Sequence, residues 1–269
     1  MNASMNYIRP ESLAAALERL SVDPDARALA GGQSLLPAMR IGLAAPSVLI
    51  DLQAIASLRG INVEDGGVRI GAMSSHSQIA SSPVVAQHAP LLASVAAGIA
   101  DAQVREVGTI GGALANNDPA ACWPAAVLAC NARVHTSLRT IVADEFFKGL
   151  FATALQQGEL ITAISFPKLR AGCYLKFEQQ ASRFALVGVA VAAFAQDAVR
   201  VAITGLGRGV MRWHEAESKL VGGLETSRLD GLQLDAACAS DDIHADARYR
   251  SHLAGVLLRR AVRAMNGRL

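Results

Sequence analysis

Two short glycine loops constrain this chain more than any other feature of it. Ala30-Gly31-Gly32-Gln33-Ser34 lies near the N-terminus; Thr109-Ile110-Gly111-Gly112-Ala113 comes later and runs on into Asn116-Asn117-Asp118-Pro119. Each loop follows an apolar stretch, and a Gly-Gly pair has no Cβ to hold an anion away from the backbone N–H groups. One such pair is ordinary loop punctuation. Two of similar build, each flanked by Ser or Thr, read as two jaws closing on one long anionic ligand, which fits a dinucleotide.

The elements around the first loop make a small α/β lobe. Pro10-Glu11-Ser12 opens a helix whose Leu13, Ala16, Leu17 and Leu20 follow i, i+3, i+4, i+7 spacing, and Asp23-Pro24-Asp25 ends it. A strand from Arg27 to Ala30 runs into the loop. Ser34 is placed to cap a helix from Leu35 to Ile41, and Val48 to Leu52 reads as a strand, so the anion site falls at a helix N-terminus. Asp65-Gly66-Gly67 predicts a hairpin turn between Ile61-Val63 and Val68-Ile70, after which Gly71 to His76 leads into a helix. Pro90 to Ala100 reads as an Ala-rich helix ahead of the second loop, Pro124 to Ala129 as a buried helix, and Leu160 to Phe166 as a closing strand. Beyond Pro167, Val187 to Phe194 and Val199 to Thr204 form a predicted antiparallel pair joined at Gln196-Asp197-Ala198. A last helix, Ala247 to about Ala264, places Leu253, Val256 and Leu257 on one face and crowds Arg259, Arg260 and Arg263 into its final turns.

Composition excludes several classes of function. A chain of 269 residues can bury a large core in two or three lobes. A net charge of +2, with no basic run interleaved with aromatics, argues against nucleic acid. The longest apolar stretch, the 12 residues from Phe184 to Ala195, is too short to span a bilayer, and the first residues lack a secretion pattern, so the cytoplasm is the expected compartment. Cys122, Cys130, Cys173 and Cys238 form no C-x-x-C pair and the six histidines are scattered, so no metal site is expected. Gly205-Leu206-Gly207-Arg208-Gly209 imitates a nicotinamide-binding fingerprint but lacks its third glycine at the right offset, and reads as a turn.

A flavin dinucleotide needs N–H groups for its pyrophosphate and short polar side chains for its ribityl and ribose hydroxyls. Ser34, Thr109, Asn116, Asn117 and Asp118 supply such groups, although Asn-Asn-Asp-Pro is also a common turn composition. Ala30 to Pro37 and Thr109 to Pro119 closely resemble the two FAD motifs of the medium, flavin-binding subunits of molybdenum hydroxylases, a family that includes the carbon monoxide dehydrogenase flavoprotein and the FAD domain of xanthine dehydrogenase. The resemblance extends through Gly158-Glu159-Leu160-Ile161, Phe184 to Val189, and Tyr249-Arg250 to Arg259-Arg260, and so covers the whole chain.

This resemblance implies an α+β protein with a vanillyl-alcohol-oxidase-type (PCMH-type) FAD-binding fold. Residues 1–55 would form the first α/β lobe, 56–168 the second, and 169–269 a C-terminal domain of antiparallel sheet and helices like that of the carbon monoxide dehydrogenase flavoprotein. It also implies an electron outlet. A molybdopterin-containing large subunit would hydroxylate substrate, a small subunit would carry [2Fe-2S] clusters, and this chain would pass electrons from them through FAD to an acceptor, the whole forming a dimer of heterotrimers. The pyrophosphate would fall to Gly31, Gly32, Gln33, Ser34, Thr109, Ile110, Gly111, Gly112 and Ala113, flanked by Ala30 and Leu35. Ile161 would pack near the isoalloxazine, Ile99 near the adenine end, and Lys176 would supply a cation near the flavin. No catalytic side chain is expected, since no nucleophile–base pair or carboxylate pair is apparent and a flavin carries its own redox chemistry.

Three departures stand out against that family. Cys122 occupies a place where an aspartate is common, Gln179-Gln180 one where lysine or arginine is frequent, and Arg183 one where acidic residues are usual. Two other readings stay open at this level. A self-contained flavin oxidase would bind substrate in this chain; many such relatives tether FAD through a histidine in the first loop, where Gln33 stands here, so attachment is expected to be non-covalent. A flavin-free assembly module is the other, which the intact glycine loops oppose and Cys122 keeps open.

Overall fold

The computed structural model describes residues 5–267. Ser12 accepts a hydrogen bond from the Ala15 amide at 3.2 Å and starts α1 (Leu13–Val22), which buries Ala16 and Leu20 one turn apart as the periodicity predicts. Strands β1 (Asn6–Ile8), β2 (Arg27–Leu29) and β3 (Val48–Asp51) make a parallel sheet in the order β1-β3-β2. β1 is an addition to the elements expected, for three residues are too few to show alternation. Parallel strands place their carboxyl ends at one edge, where such sheets bind ligands. There the first glycine loop leaves β2 and enters α2 (Leu35–Arg40).

The second lobe is built on an antiparallel sheet. Asp65 and Gly66, both with positive φ, turn β4 (Ile61–Glu64) into β5 (Gly67–Gly71) at the expected hairpin, with Val63 opposite Val68, Ile61 opposite Ile70 and Gly67 already in the strand. Helices α3 (His76–Ser81), α4 (Pro83–His88), α5 (Pro90–Ala97), α6 (Ala102–Val107), α7 (Ile110–Asn116) and α8 (Cys122–Ala129) follow. After them come β6 (Arg133–Thr136), β7 (Thr140–Val142), α9 (Ala143–Phe146), a small hairpin of β8 (Phe147–Gly149) and β9 (Ala152–Thr153), and β10 (Ile161–Phe166). The sheet order β4-β5-β10-β6-β7 puts the predicted closing strand at its centre.

The third unit is a meander of β11 (Ala171–Glu178), β12 (Ala185–Ala193), β13 (Val199–Thr204) and β14 (Met211–Arg212), followed by α10 (His214–Leu220) and α11 (Ala247–Asn266). All nine residues of β12 are buried because the sheet is covered on both faces. Ala190 and Ala192 turn toward α8, whereas Val187, Val189 and Val191 face the core that α11 covers. Strand alternation thus presents small residues to one helix and branched ones to the other. Gly205, Gly207 and Gly209 all take positive φ in the turn before β14, and no helix follows them as a nucleotide fingerprint would need. On α11, Leu253 and Leu257 are buried with Leu258, Ala261 and Met265, while Val256 is only half-buried. Arg259 donates to the Leu229 and Leu232 carbonyls, and Arg260 and Arg263 are exposed. Among the described residues, no helix is long and apolar enough to cross a membrane.

Candidate cofactor-binding site

The first loop is an array of unused donors. Among the described residues, the backbone N–H groups of Gly31, Gly32, Gln33 and Ser34 meet no protein acceptor, while Gln33 folds its side-chain amide onto the Gly31 carbonyl at 3.0 Å. Gly32 has φ +70°, and a Cβ on Gly31 would stand 2.2 Å from the Val107 carbonyl oxygen. Both glycines are therefore required by backbone geometry. Ser34 does not cap α2 as the sequence suggests. Its own backbone is already helical (φ −114°, ψ −47°), whereas a capping side chain needs an extended backbone, so its hydroxyl is left facing the cleft.

The second loop differs from the first, and the expectation of two similar amide cradles is corrected here. Thr109 caps α7, its hydroxyl accepting from the Gly112 amide at 3.1 Å. Ile110 N–H donates to Ser74, Gly111 N–H to Ala72 and Ala113 N–H to the Thr109 carbonyl, so within this loop only the Thr109 amide finds no acceptor among the described residues. Its glycines serve close approach instead. A Cβ on Gly111 would come within 2.7 Å of the Ala72 methyl, and one on Gly112 within 3.2 Å of the Ala30 methyl, which lets the loops nearly touch. Ile110 is fully buried in the lobe core and has no face on the cleft.

Two cavities meet between the loops. The first, about 360 Å³, is lined by every residue from Ala30 to Leu35, together with Thr109, Gly111, Gly112, Ala113, Asn116 and Ile161. The second, about 300 Å³, is lined by Ile99, Asp118, Cys122, Trp123 and the hairpin tip from Ala181 to Phe184. Gln33, Ser34, His76, Ala113 and Asn116 line both, so the two form one elongated cleft with a polar waist. Ile161 and Ile99 lie in different cavities, as contacts to opposite ends of a long ligand would. Burial raises the pKa of the Asp118 carboxyl, against the opposing effect of the Ala120 amide that it accepts. An ionised carboxylate only accepts hydrogen bonds, so Asp118 suits sugar hydroxyls better than phosphate.

Two further candidates lie off the cleft. Asn117 is buried in the left-handed conformation, and its side-chain amide donates to the Gly149 and Ala152 carbonyls, both at 2.8 Å, clamping the β8–β9 hairpin. Lys176 lines neither cavity. Its ammonium donates to Gly98 at 2.7 Å and to the Arg183 carbonyl, and pairs with Glu178 at 3.3 Å, so it ties the hairpin tip to the end of α5. Cys122 does reach the second cavity, where burial raises its thiol pKa and keeps it neutral. Gln180 and Arg183 are exposed at the hairpin tip and Gln179 is half-buried.

The structure also brings in residues that motif reading passed over: His76, Met73, Arg27, Glu159 and Trp123. Met73 and His76 stand in the Gly71 to His76 segment and Glu159 in the Gly158 to Ile161 segment noted in sequence, but neither segment assigned them to the cleft. Trp123 comes to the cleft through tertiary packing. Four unused loop amides, a free serine hydroxyl, an Asn116 and an acceptor carboxylate in a cleft of this length fit FAD. Among the described residues, no group of His, Cys, Asp or Glu is placed to hold a metal ion.

A parallel lobe and an antiparallel lobe that close two glycine loops on one cleft define a dinucleotide-binding protein. Residues 3–169 match the family described as the FAD binding domain in molybdopterin dehydrogenase, and residues 172–265 the CO dehydrogenase flavoprotein C-terminal domain. The chain is 37% identical to the nicotine 6-hydroxylase medium subunit of Paenarthrobacter nicotinovorans and 36% identical to the carbon monoxide dehydrogenase medium chain of Hydrogenophaga pseudoflava, over 96% of both chains in each case. The structure of reconstituted CO dehydrogenase from Oligotropha carboxidovorans contains a chain that superposes with TM-score 0.92 at 33% identity, over 99% of each chain. The chain belongs to the family of FAD-binding medium subunits of molybdenum hydroxylases, oxidoreductases of the xanthine and carbon monoxide dehydrogenase type. FAD is its cofactor.

Proposed function

We propose that this chain is the electron outlet of a molybdenum hydroxylase complex, receiving electrons from the [2Fe-2S] clusters of a small subunit and delivering them to an external acceptor. A large molybdopterin subunit performs the hydroxylation, and the assembly is a dimer of heterotrimers in the cytoplasm. The observation that carries this reading is the pairing of a dinucleotide-sized cleft with likeness to medium subunits along the full chain. Bound FAD supplies the redox chemistry, and this chain's residues bind and orient it. The amides of Gly31 to Ser34, the Ser34 hydroxyl and the Thr109 amide hold the pyrophosphate; Asn116 and Asp118 hold sugar hydroxyls. Gly111 and Gly112 serve by letting the lobes close, and Ile99 and Ile161 by packing at the two ends. Gln33 in the tethering position leaves FAD non-covalent. Lobes at 1–55 and 56–168 and a C-terminal domain at 169–269 follow the three larger sheets, one to each division, although the cores cross them: Leu58, Met73 and Leu160 pack with the first lobe, and Tyr174, Ala190 and Ala192 with the second.

Purification from the native host tests the reading. The expected result is a yellow complex with a large and a small partner, whose flavin is bleached anaerobically by the complex's substrate and released by trichloroacetic acid. A chain that purifies alone, or that turns over substrate without partners, would overturn it in favour of a self-contained oxidase.

A further inference from the structure

His76 is a polar side chain, 4% exposed, at the waist where the two cavities meet, and one of its ring nitrogens has no partner among the described residues. Its backbone is fixed between the glycine loops. The His76 N–H donates to the Gly108 carbonyl at 2.9 Å, and Ser75 ahead of it closes a capping box with Gln78 and bridges to Thr109. The ring is fixed as well. Trp123 Nε1 lies 3.1 Å from His76 Nδ1, and an indole nitrogen can only donate. Nδ1 must therefore be the bare nitrogen, which puts the proton of the neutral ring on Nε2.

That Nε2–H meets no acceptor among the described residues. It lies beside Gly108, where a Cβ would come within 3.0 Å of Nε2, so the glycine leaves room around it. Nε2 is not closed off by the packing around it but opens on the cleft, so its proton is available to an acceptor that arrives there. Burial, with Arg105 nearby, lowers the pKa of the ring to about 4, so the group at neutral pH is one directed N–H rather than a diffuse cation.

We propose that His76 is a positioning residue for the bound dinucleotide, its Nε2–H donating to a pyrophosphate oxygen at the waist, beside the donors of Gln33 and Ser34, with Trp123 holding the ring in the required tautomer. The inference rests on FAD being the ligand of this cleft. It assigns a function to a histidine and a tryptophan that lie outside both glycine motifs, the indole acting through the ring it orients.

The test uses the full chain, stripped of FAD and titrated with FAD and, separately, with ADP, which carries the diphosphate and no flavin. His76→Leu removes both ring functions and is expected to raise the Kd of each ligand about tenfold or more, the loss of a buried bond to a charged acceptor. His76→Gln can accept from the indole and donate onward, and is expected to recover most of that loss. Trp123→Phe frees Nδ1 and is expected to weaken both ligands without altering the donors of the first loop. A second readout does not depend on any variant folding. In the chain labelled with 15N-histidine, the Nε2 proton should become protected from exchange and shift on adding FAD and on adding ADP, with Nδ1 remaining unprotonated. An Nε2 signal indifferent to both ligands, or His76→Leu binding both as tightly as the parent, would overturn the proposal. A shift with FAD but not with ADP would also overturn it, by placing the bond away from the diphosphate. If the parent chain binds no FAD at all, the functional reading itself fails, which is a separate outcome.

Discussion

At the scale of single residues, the two glycine loops divide the work. Gly31 cannot carry a side chain without moving the Val107 carbonyl, 2.2 Å from its would-be Cβ. Gly31→Ala is therefore expected to separate the loop from α6 and raise the Kd for FAD about tenfold or more, measured by flavin fluorescence quenching in the purified chain. His76 gives a pH dependence whose sign follows from its lowered pKa. The folded ring protonates near 4 and the unfolded ring near 6.5, so His76 costs the fold nothing above pH 6.5 and destabilises it as pH falls between those values. The apo chain should lose about 2 kcal/mol through this group by pH 5. His76→Gln should remove that share, read as a shallower fall in urea midpoint between pH 7 and pH 5; parallel curves for parent and variant would refute it.

At the scale of elements, the tip of the hairpin joining β11 to β12 forms one wall of the second cavity. Lys176 holds its tip through the Gly98 and Arg183 carbonyls, and the side chains of Gln180, Ser182 and Phe184 around it are exposed. Lys176→Met keeps the aliphatic stem and removes the ammonium, and should open the tip to trypsin at Arg183 while leaving the midpoint potential of the flavin near the parent's. A large potential shift would return Lys176 to the neighbourhood of the flavin. The helix Leu13–Val22, the Asp65-Gly66 hairpin and the β12–β13 pair were legible because local chemistry alone specifies them: a capping serine, a turn with two positive φ angles, two apolar runs around a short turn. β1, β14 and the β8–β9 hairpin carry no such signal, since strands of two or three residues are specified by their partners.

At the scale of the whole molecule, the C-terminal sheet bears on the cofactor cleft without lining most of it. Thr204 donates its hydroxyl toward the Pro119 and Ala121 carbonyls, each at 2.9 Å, and Gly205 N–H donates to Pro119 at 2.8 Å, so the end of β13 pins the turn that carries Asn116 to Asp118. Ala190 and Ala192 let α8, buried on every side, sit against β12. Ala192→Leu should overpack this contact and cost about 1–3 kcal/mol in urea unfolding. Thr204→Val should remove the single hydroxyl proton that the Pro119 and Ala121 carbonyls share, leaving Pro119 with the Gly205 amide alone, lower stability by about 1 kcal/mol and weaken FAD binding, since the turn it anchors borders the second cavity.

The amino-acid sequence by itself determined the loops, the cofactor they suit and the order of the lobes, because glycine geometry, capping and hydrophobic periodicity act within a few residues and leave their mark on the chain. Only the tertiary structure decided which loop offers free amides. Both read alike as Gly-Gly turns, yet whether an N–H is available depends on the carbonyls that packing brings near it: Ser74 and Ala72 take those of the second loop, and none among the described residues takes those of the first. Asn117 and Lys176 left the site for the same reason, each finding backbone carbonyls that no sequence spacing could announce. His76 entered it because an indole 47 residues along the chain selected its tautomer.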